Sequence, residues 1–90
     1  MAEHFEIRVY GRVRNVMFRY SAAELARSLG LTGFVQNEPD GSLAIEVEGE
    51  EIALQDFTAW CRKGPPLARV ERFEIREAPL KHFAVFEIRW

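Results

Sequence analysis

Residues 11–19, with the sequence GRVRNVMFR, lead from an alternating apolar run into a predicted helix. The first turn of a helix leaves backbone N–H groups without partners and carries a partial positive charge. A Ser, Thr or Asp usually accepts one of these N–H groups, but the three residues before Arg19 are apolar. Unpaired donors beside an arginine form a site with the charge and shape for a phosphate. Alternatively, Asn15 caps a helix that begins at Val16 and Arg19 lies on a solvated face; the residues alone favour neither interpretation.

Asn37 is the second candidate, at the end of an apolar run and just before Pro39-Asp40-Gly41. Asparagine is common where a turn starts, so a purely structural role is the simpler interpretation. In the functional interpretation, the neutral amide lies beside a phosphate held by cations and orients a water molecule without becoming charged. Which one holds depends on whether the fold brings Asn37 to the segment that contains Arg19.

The elements that position these residues follow from the spacing of the apolar side chains, which has a period of two in strands and of 3.6 in helices. The spacing predicts strands over residues 5–10, 31–37, 43–48, 70–76 and 83–90, and helices over about residues 19–29 and 53–61. Proline and Asp-Gly predict a tight turn over residues 37–42, which makes the second and third strands a hairpin. Residues 70 and 73 are out of phase, which predicts a bulge near Arg72.

The order strand, helix, strand, strand, helix, strand, with one further terminal strand, is the split βαβ pattern. We therefore predict an α+β fold of the ferredoxin-like type, an α/β sandwich in which both helices cover one face of an antiparallel sheet of four to five strands. Strands one and three take the middle of this sheet and strand two is an outer strand. The end of strand one can then face the corner at Asn37.

Composition excludes several classes of function. The 90 residues carry a net charge of -2, whereas nucleic-acid binding usually needs a basic surface. A lone cysteine, Cys61, permits no internal disulfide and fits a reduced cytosolic setting. No apolar stretch reaches the roughly 20 residues of a membrane span. We expect one cytoplasmic domain over residues 1–90, a monomer with no membrane or nucleic-acid partner.

Other familiar kinds of site are missing. Neither His4 nor His82 has a Cys, His or carboxylate at a metal-ligand spacing, so no metal site is expected. Cys61 lies on the apolar face of the second helix and is interpreted as an inert core thiol. The aromatic residues could form a base-stacking platform, but the basic and aromatic run of RNA-recognition domains is absent. Core packing is the better account of four of them: Phe34, Phe73, Phe83 and Phe86.

The chain resembles the acylphosphatase family over nearly its whole length, through several motifs in the correct order. The family has a glycine followed by V-Q-G-V and F-R at the strand-to-helix loop, G-[WF]-V-x-N at the end of strand two, and glycines on both sides of helix two. The matching residues here are Gly11, Val13, Val16, Phe18 and Arg19; Gly33-Phe34-Val35-Gln36-Asn37 with Pro39-Asp40-Gly41; and Gly49-Glu50 with Gly64-Pro65-Pro66.

This resemblance implies hydrolysis of the carboxyl–phosphate bond of small acylphosphates, with phosphate or sulfate as a ligand of the site. It implies that Arg19 binds the phosphate and that Asn37 positions the attacking water, as the two catalytic residues. It implies no metal and no organic cofactor. The phosphate would also be held by backbone N–H groups of the loop, which comprises Arg14, Asn15, Val16, Met17, Phe18 and Arg19.

The loop departs from the family pattern at two positions. Arg14 replaces the usual glutamine, and Asn15 replaces a glycine that would allow positive φ. Asparagine is the next-best residue for left-handed φ, so the loop can still form. In the rival hypothesis, Asn15 blocks the site and the chain is a non-catalytic binding module on the same fold.

Overall fold

A computed structural model describes residues 1–90, in which strands and helices alternate much as the apolar spacing predicts. The strands are β1 (Ala2–Arg12), β2 (Thr32–Asn37), β3 (Leu43–Glu50), β4 (Arg69–Ala78) and β5 (Phe86–Arg89), and the helices are α1 (Phe18–Ser28) and α2 (Glu51–Lys63). None of these helices has the length and apolar character needed to cross a membrane.

The strands form one sheet in the order β4-β1-β3-β2-β5. The neighbours in β4-β1-β3-β2 are antiparallel, so the predicted ferredoxin-like α+β fold is confirmed. β5 departs from the prediction, because it pairs in parallel with β2 and makes β2 an inner strand. The reason is the path of the chain, which leaves β4 at one edge, crosses the sheet and enters β5 in the direction of β2.

The hydrophobic core lies between the helices and the sheet face formed by odd-numbered residues such as Val9, Val35 and Leu43, which are completely buried. It contains 17 buried residues. Helix α2 contributes Leu54, Phe57 and Cys61. Burial raises the pKa of the Cys61 thiol, so the predicted inert core thiol agrees with the structure.

Two local predictions about the backbone are confirmed. In the β2–β3 hairpin, Glu38 N–H donates to the Ser42 carbonyl at 2.8 Å, and the Asp40 carboxylate accepts bonds from the Ser42 amide and hydroxyl at 2.9 and 2.6 Å. The register of β1 and β4 shifts beside Tyr10 and leaves one residue of β4 between residues 70 and 72 without a partner. This shift is the bulge expected near Arg72.

The second face of the sheet is crossed by residues 79–85, which we call the strap. The buried carboxylate of Glu48 on β3 accepts bonds from three consecutive strap N–H groups, those of Lys81, His82 and Phe83. His4 adds a fourth bond, 2.7 Å from its Nδ1 to Glu48 Oε2. Burial alone would raise the pKa of Glu48, but the bonds from Lys81, His4 and Phe83 outweigh it and hold the pKa below its usual value.

Contacts between aromatic rings also attach the strap to the sheet. The Phe83 ring stacks on His4 at 5.8 Å between centroids and meets Phe34 edge-on at 5.9 Å. Phe86, in contrast, lies in the core between sheet and helices. The prediction that these aromatics pack internally is therefore correct for Phe86 in the core, for Phe73 packed against it and for the buried Phe34. Phe83 is only partly buried and packs with Phe34 on the strap side of the sheet.

Candidate active site

The loop between β1 and α1, residues 13–17, is anchored to the core by apolar side chains at both of its ends. Val13 and Val16 are 2% and 4% exposed, and Phe18, the first residue of α1, is 1% exposed. Phe18 also packs edge-on against Trp60 of α2 at 5.3 Å between ring centroids. The remaining side chains of the loop point outward and are exposed: Arg14, Asn15 and Met17. Apolar anchors thus fix the backbone, and its polar groups are left at the surface.

The loop turns by placing two non-glycine residues in the left-handed region, Asn15 with φ 58° and Met17 with φ 66°. Asparagine tolerates this conformation better than most residues, which explains how it can stand where the family has glycine. Asn15 does not cap the helix. Helix α1 begins at Phe18, and its N-cap residue, Met17, makes no side-chain capping bond. The interpretation in which Asn15 caps a helix beginning at Val16 is therefore wrong.

The backbone N–H groups of the loop have no acceptor in the protein. Eleven backbone hydrogen bonds lie outside the regular helix and sheet ladders, and none of them is donated by residues 14–18. No side chain accepts from these N–H groups either, and the first turn of α1 contains no acidic residue. Successive N–H groups in alternating conformations at a helix start form a concave site for an anion.

Arg19 follows directly and is held by the last strand. Its Nη1 donates to the Arg89 carbonyl at 3.1 Å, and its guanidinium carbon lies 4.2 Å from the centroid of the Trp90 ring. A hydrogen bond and a cation–π contact together restrict a side chain that otherwise has many rotamers. Arg19 is therefore not a free surface arginine, and its charge stays beside the loop.

The sheet register locates Asn37 relative to this loop. Asn37 pairs with Leu43, and Leu43 pairs with Val9 of β1, three residues before β1 ends. Asn37 also has the same parity as the core residue Val35, so it lies on the helix side of the sheet. On the other flank of β2, Gln36 pairs with Arg89, the residue whose carbonyl receives the bond from Arg19. Asn37 thus lies at the same end of the sheet as the loop and on the same side as α1.

The side chain of Asn37 is not used by the turn that follows it. Asp40 provides the side-chain bonds of that turn, whereas Asn37 Oδ1 is buried and has no hydrogen-bond partner in the protein. Buried polar atoms are nearly always paired. The amide oxygen of Asn37 is therefore free to accept a hydrogen bond from water or a bound molecule.

Two surface hollows lie away from this loop. One, of about 360 Å³, is on the strap side of the sheet and includes Glu6, Arg8 and Glu46 in its lining. Another, of about 380 Å³, lies between the helices near Trp60. Neither is lined by a residue of the β1–α1 loop.

Histidine and carboxylate groups do meet in space, although the sequence predicted no such cluster. One ligand atom each from His4, Glu6 and Glu46 lie within 4.8 Å of one another. Sequence spacing could not reveal this group, because pairing of β1 with β3 places Glu6 opposite Glu46. The cluster belongs to the strap side of the sheet, and the candidate active site belongs to the helix side.

A model of the acylphosphatase family matches residues 5–88. The chain belongs to the acylphosphatase family. Among its relatives, an acylphosphatase of Anaeromyxobacter dehalogenans is 44% identical over 93 aligned positions, with all of both chains covered. One of Methylococcus capsulatus is 51% identical over 69 residues, which cover 77% of this chain and 75% of the relative.

The fold of the acylphosphatase family agrees with that of this chain. The crystal structure of the Bacillus subtilis acylphosphatase superimposes with a TM-score of 0.94 at 35% identity, and the match covers 100% of both chains. The chain is thus an enzyme of this family, and its class of reaction is the hydrolysis of acylphosphates.

Proposed function

We propose that this enzyme hydrolyses small acylphosphates to a carboxylate and inorganic phosphate at the β1–α1 loop. Arg19 and the backbone N–H groups of residues 14–19 bind the phosphoryl group, and Asn37 orients the attacking water. The observation that carries the proposal is the run of loop N–H groups that have no acceptor in the protein and adjoin an immobilised arginine. Neutral donors and one cation at a helix start match a phosphate dianion.

The charge arrangement suits the transition state of phosphoryl transfer. Negative charge spreads over the equatorial phosphoryl oxygens, and fixed donors stabilise it without reorganising. The loop is fixed by Val13, Val16 and Phe18 in the core, and Arg19 is fixed by β5. The leaving group is a carboxylate, which departs without protonation, so the reaction needs no general acid. We propose no metal or organic cofactor for this chemistry.

Asn37 acts by positioning. Its unpartnered Oδ1 accepts a hydrogen bond from the water, and this directs the water lone pair toward phosphorus, opposite the scissile bond. Orientation of this kind lowers the entropic part of the barrier. The P–O bond to the water forms as the P–O bond to the carboxylate breaks, and the water proton passes to a phosphate oxygen. An amide has no titration near neutrality, so it serves this role over a wide pH range.

The surroundings of the site support two further proposals. Residues 1–90 act as one acylphosphatase-like domain, because the loop, Arg19 and Asn37 all depend on the same core and sheet. The free, buried Cys61 fits a reducing compartment, and on this basis we propose a cytoplasmic enzyme. We also propose that it acts as a monomer.

The decisive experiment separates phosphate binding from turnover. We expect wild-type protein to release phosphate from a synthetic acyl phosphate, equally with and without a chelator. Asn37→Ala should keep its phosphate affinity and lose about a hundredfold in kcat, as expected for loss of one orienting group. Gln36→Ala is the matched control, because Gln36 precedes Asn37 in β2, has the opposite parity and bonds to Glu38; its kcat should stay within about twofold.

Equal turnover in wild type and Asn37→Ala would contradict the assigned role of Asn37. Phosphate binding by the wild type without any turnover would instead support the non-catalytic module, in which the cradle exists but the reaction does not occur.

A further inference from the structure

On the strap side of the sheet, three ionisable side chains converge at the end of β1 opposite to the active-site loop: His4, Glu6 and Glu46. Glu6 and Glu46 are direct cross-strand partners. Two like charges placed directly opposite each other in an antiparallel pair destabilise it unless cations lie between or beside them. In this chain, Arg76 contacts Glu6 and Lys81 contacts Glu46, so each carboxylate has one cation beside it.

The contacts of His4 fix the orientation of its imidazole. The side chain is completely buried, with Nδ1 at 2.7 Å from Glu48 Oε2 and Nε2 at 3.1 Å from Glu46 Oε1. Glu48 already accepts the strap N–H groups and acts as an acceptor toward His4 as well, so Nδ1 carries the proton. Nε2 then faces a carboxylate oxygen, and this contact is attractive only if a proton or a metal ion lies there.

The cations already present leave part of each carboxylate free. Lys81 Nζ bonds to Oε1 of Glu46, the same oxygen that faces His4. Arg76 contacts only Oε1 of Glu6, through Nε and Nη2. Oε2 of Glu6 and Oε2 of Glu46 therefore have no partner in the protein. The side chains of Lys81 and Arg76 are 49% and 76% exposed, so both can swing into solvent at little cost.

The distances fit a small transition-metal ion. With bonds of about 2.1 Å, neighbouring ligand atoms of a tetrahedral zinc site lie roughly 3.4 Å apart, close to the 3.1 Å between His4 Nε2 and Glu46 Oε1. The third atom lies within 4.8 Å of the others and needs only a modest rotation of Glu6. The hollow of about 360 Å³ is lined by Glu6 and Glu46 and leaves room for a water ligand at these two carboxylates, whereas His4 is buried beside them.

We propose that His4 Nε2, Glu6 and Glu46 bind one zinc ion, with Glu48 orienting the histidine through Nδ1. An imidazole held by a carboxylate on its second nitrogen is the arrangement found in zinc sites generally, and a mixed nitrogen and oxygen set favours zinc over magnesium or calcium. The site joins β1 to β3 and lies on the other side of the sheet from the loop and Arg19. It stabilises the fold and takes no part in hydrolysis.

The test uses the full chain, freed of metal with a chelator and titrated with zinc chloride by calorimetry near pH 7.5. We expect one equivalent to bind with a dissociation constant in the micromolar range or below. At tenfold excess over that constant, the melting temperature should rise by about 6–11 °C. Cobalt(II) should give the visible absorption bands of a tetrahedral site, and magnesium should give neither signal.

One substitution tests a proposed ligand, and two others serve as controls. Glu6→Gln, at a partly exposed position, should fold normally by circular dichroism, weaken zinc binding at least tenfold and abolish the cobalt bands. Glu74→Gln, on the same sheet face but outside the cluster, and His82→Asn, which removes the exposed histidine, should both bind zinc as the wild type does.

The proposal is overturned if zinc at millimolar concentration causes no heat and no thermal shift, or if Glu6→Gln binds as tightly as wild type. Loss of binding in His82→Asn would also overturn it, since the ion would then be held by the exposed histidine. Acyl-phosphate hydrolysis should be the same with and without zinc, so this result and the proposed function fail or succeed separately.

Discussion

The β1–α1 loop and the strap both contain a run of backbone N–H groups around residues with positive φ. In the strap these N–H groups have an acceptor in the protein, and in the loop they have none. In the loop, the N–H groups of residues 14–18 have no acceptor in the protein and lie next to the left-handed residues Asn15 and Met17. In the strap, the N–H groups of three consecutive residues converge around His82, which is also left-handed, with φ 59°. Glu48 fills the strap site with a carboxylate of the chain itself, whereas no residue fills the loop site.

The presence or absence of an acceptor within the chain distinguishes a structural anion site from one that can bind a ligand. A set of neighbouring backbone N–H groups, here called a nest, contributes to stability when all of them donate to one buried carboxylate, because donors and acceptor are satisfied on folding. A nest left without an acceptor and placed beside a fixed arginine adds little stability and is available to a ligand. The following predictions separate these two roles, beginning with the largest effect.

Removing the arginine of the loop site should give the largest change. Arg19→Ala should lower kcat/KM by about a thousandfold or more, in the range measured for arginines that neutralise a transferring phosphoryl group. Arg27→Ala is the matched control, because Arg27 also belongs to α1 and also donates to a carbonyl of β5, that of Phe86 at 2.8 and 3.1 Å. Steady-state kinetics with one acyl phosphate should show wild-type turnover for Arg27→Ala, and equal losses in both variants would contradict the assignment.

Removing the anion of the strap site should change stability and not turnover. Glu48→Gln places an amide among N–H donors and His4, so the free energy of unfolding should fall by about 2–4 kcal/mol. Urea unfolding measures this loss, and Glu50→Gln at an exposed position should change it by less than about 0.5 kcal/mol. A large loss of kcat in folded Glu48→Gln would show that the two nests are coupled.

Lowering the pH should remove the stability that the bonds between Glu48 and the strap contribute. The pKa of Glu48 is lower in the folded chain than its ordinary value of 4.5, so its contribution is present above that value and is lost as pH falls through the folded pKa. Urea midpoints measured between pH 7 and pH 3 should therefore decline below about 4.5 in the wild type. The decline should be shallower in Glu48→Gln, and parallel curves for the two proteins would contradict this source of acid sensitivity.

The smallest effect is expected at the position where the loop departs from its family. Asn15→Gly should leave kcat within about threefold, because both residues accept the left-handed conformation. Asn15→Val should lose about 1–2 kcal/mol of stability or distort the loop, because a β-branched residue is strained at φ 58°. A strong rise in kcat for Asn15→Gly would show that the asparagine side chain obstructs the cradle.

Local signals predicted most of the fold. The Pro-Asp-Gly turn specified the hairpin, and the change from a period of two to 3.6 specified α1 within one residue at each end. The parallel pairing of β5 with β2 was not predictable in this way, since nothing in residues 86–89 states which edge of the sheet they join. The bonds from the strap to Glu48 span 33 to 35 residues, and an alternating strand would otherwise put that acid in solvent.

The candidate site also has features that the sequence predicts and features that it does not. The missing cap before Arg19 and the spare asparagine after β2 could both be seen in the sequence, because each is a departure from the usual residue at that place. The contacts of Arg19 with Arg89 and Trp90 could not, as they depend on a strand that begins almost 70 residues later. The His4 cluster was missed for the same reason, because cross-strand register rather than spacing assembles it.

The hydrogen bond from Arg19 to β5 also affects the order in which the site is assembled during synthesis. The loop and its arginine leave the ribosome early, but the carbonyl of Arg89 that aims the guanidinium is 70 positions further along the chain. Until β5 has joined β2, a nascent chain displays the loop while its arginine samples many directions. The contacts that orient Arg19 in the proposed phosphate site therefore form only after β5 has paired with β2.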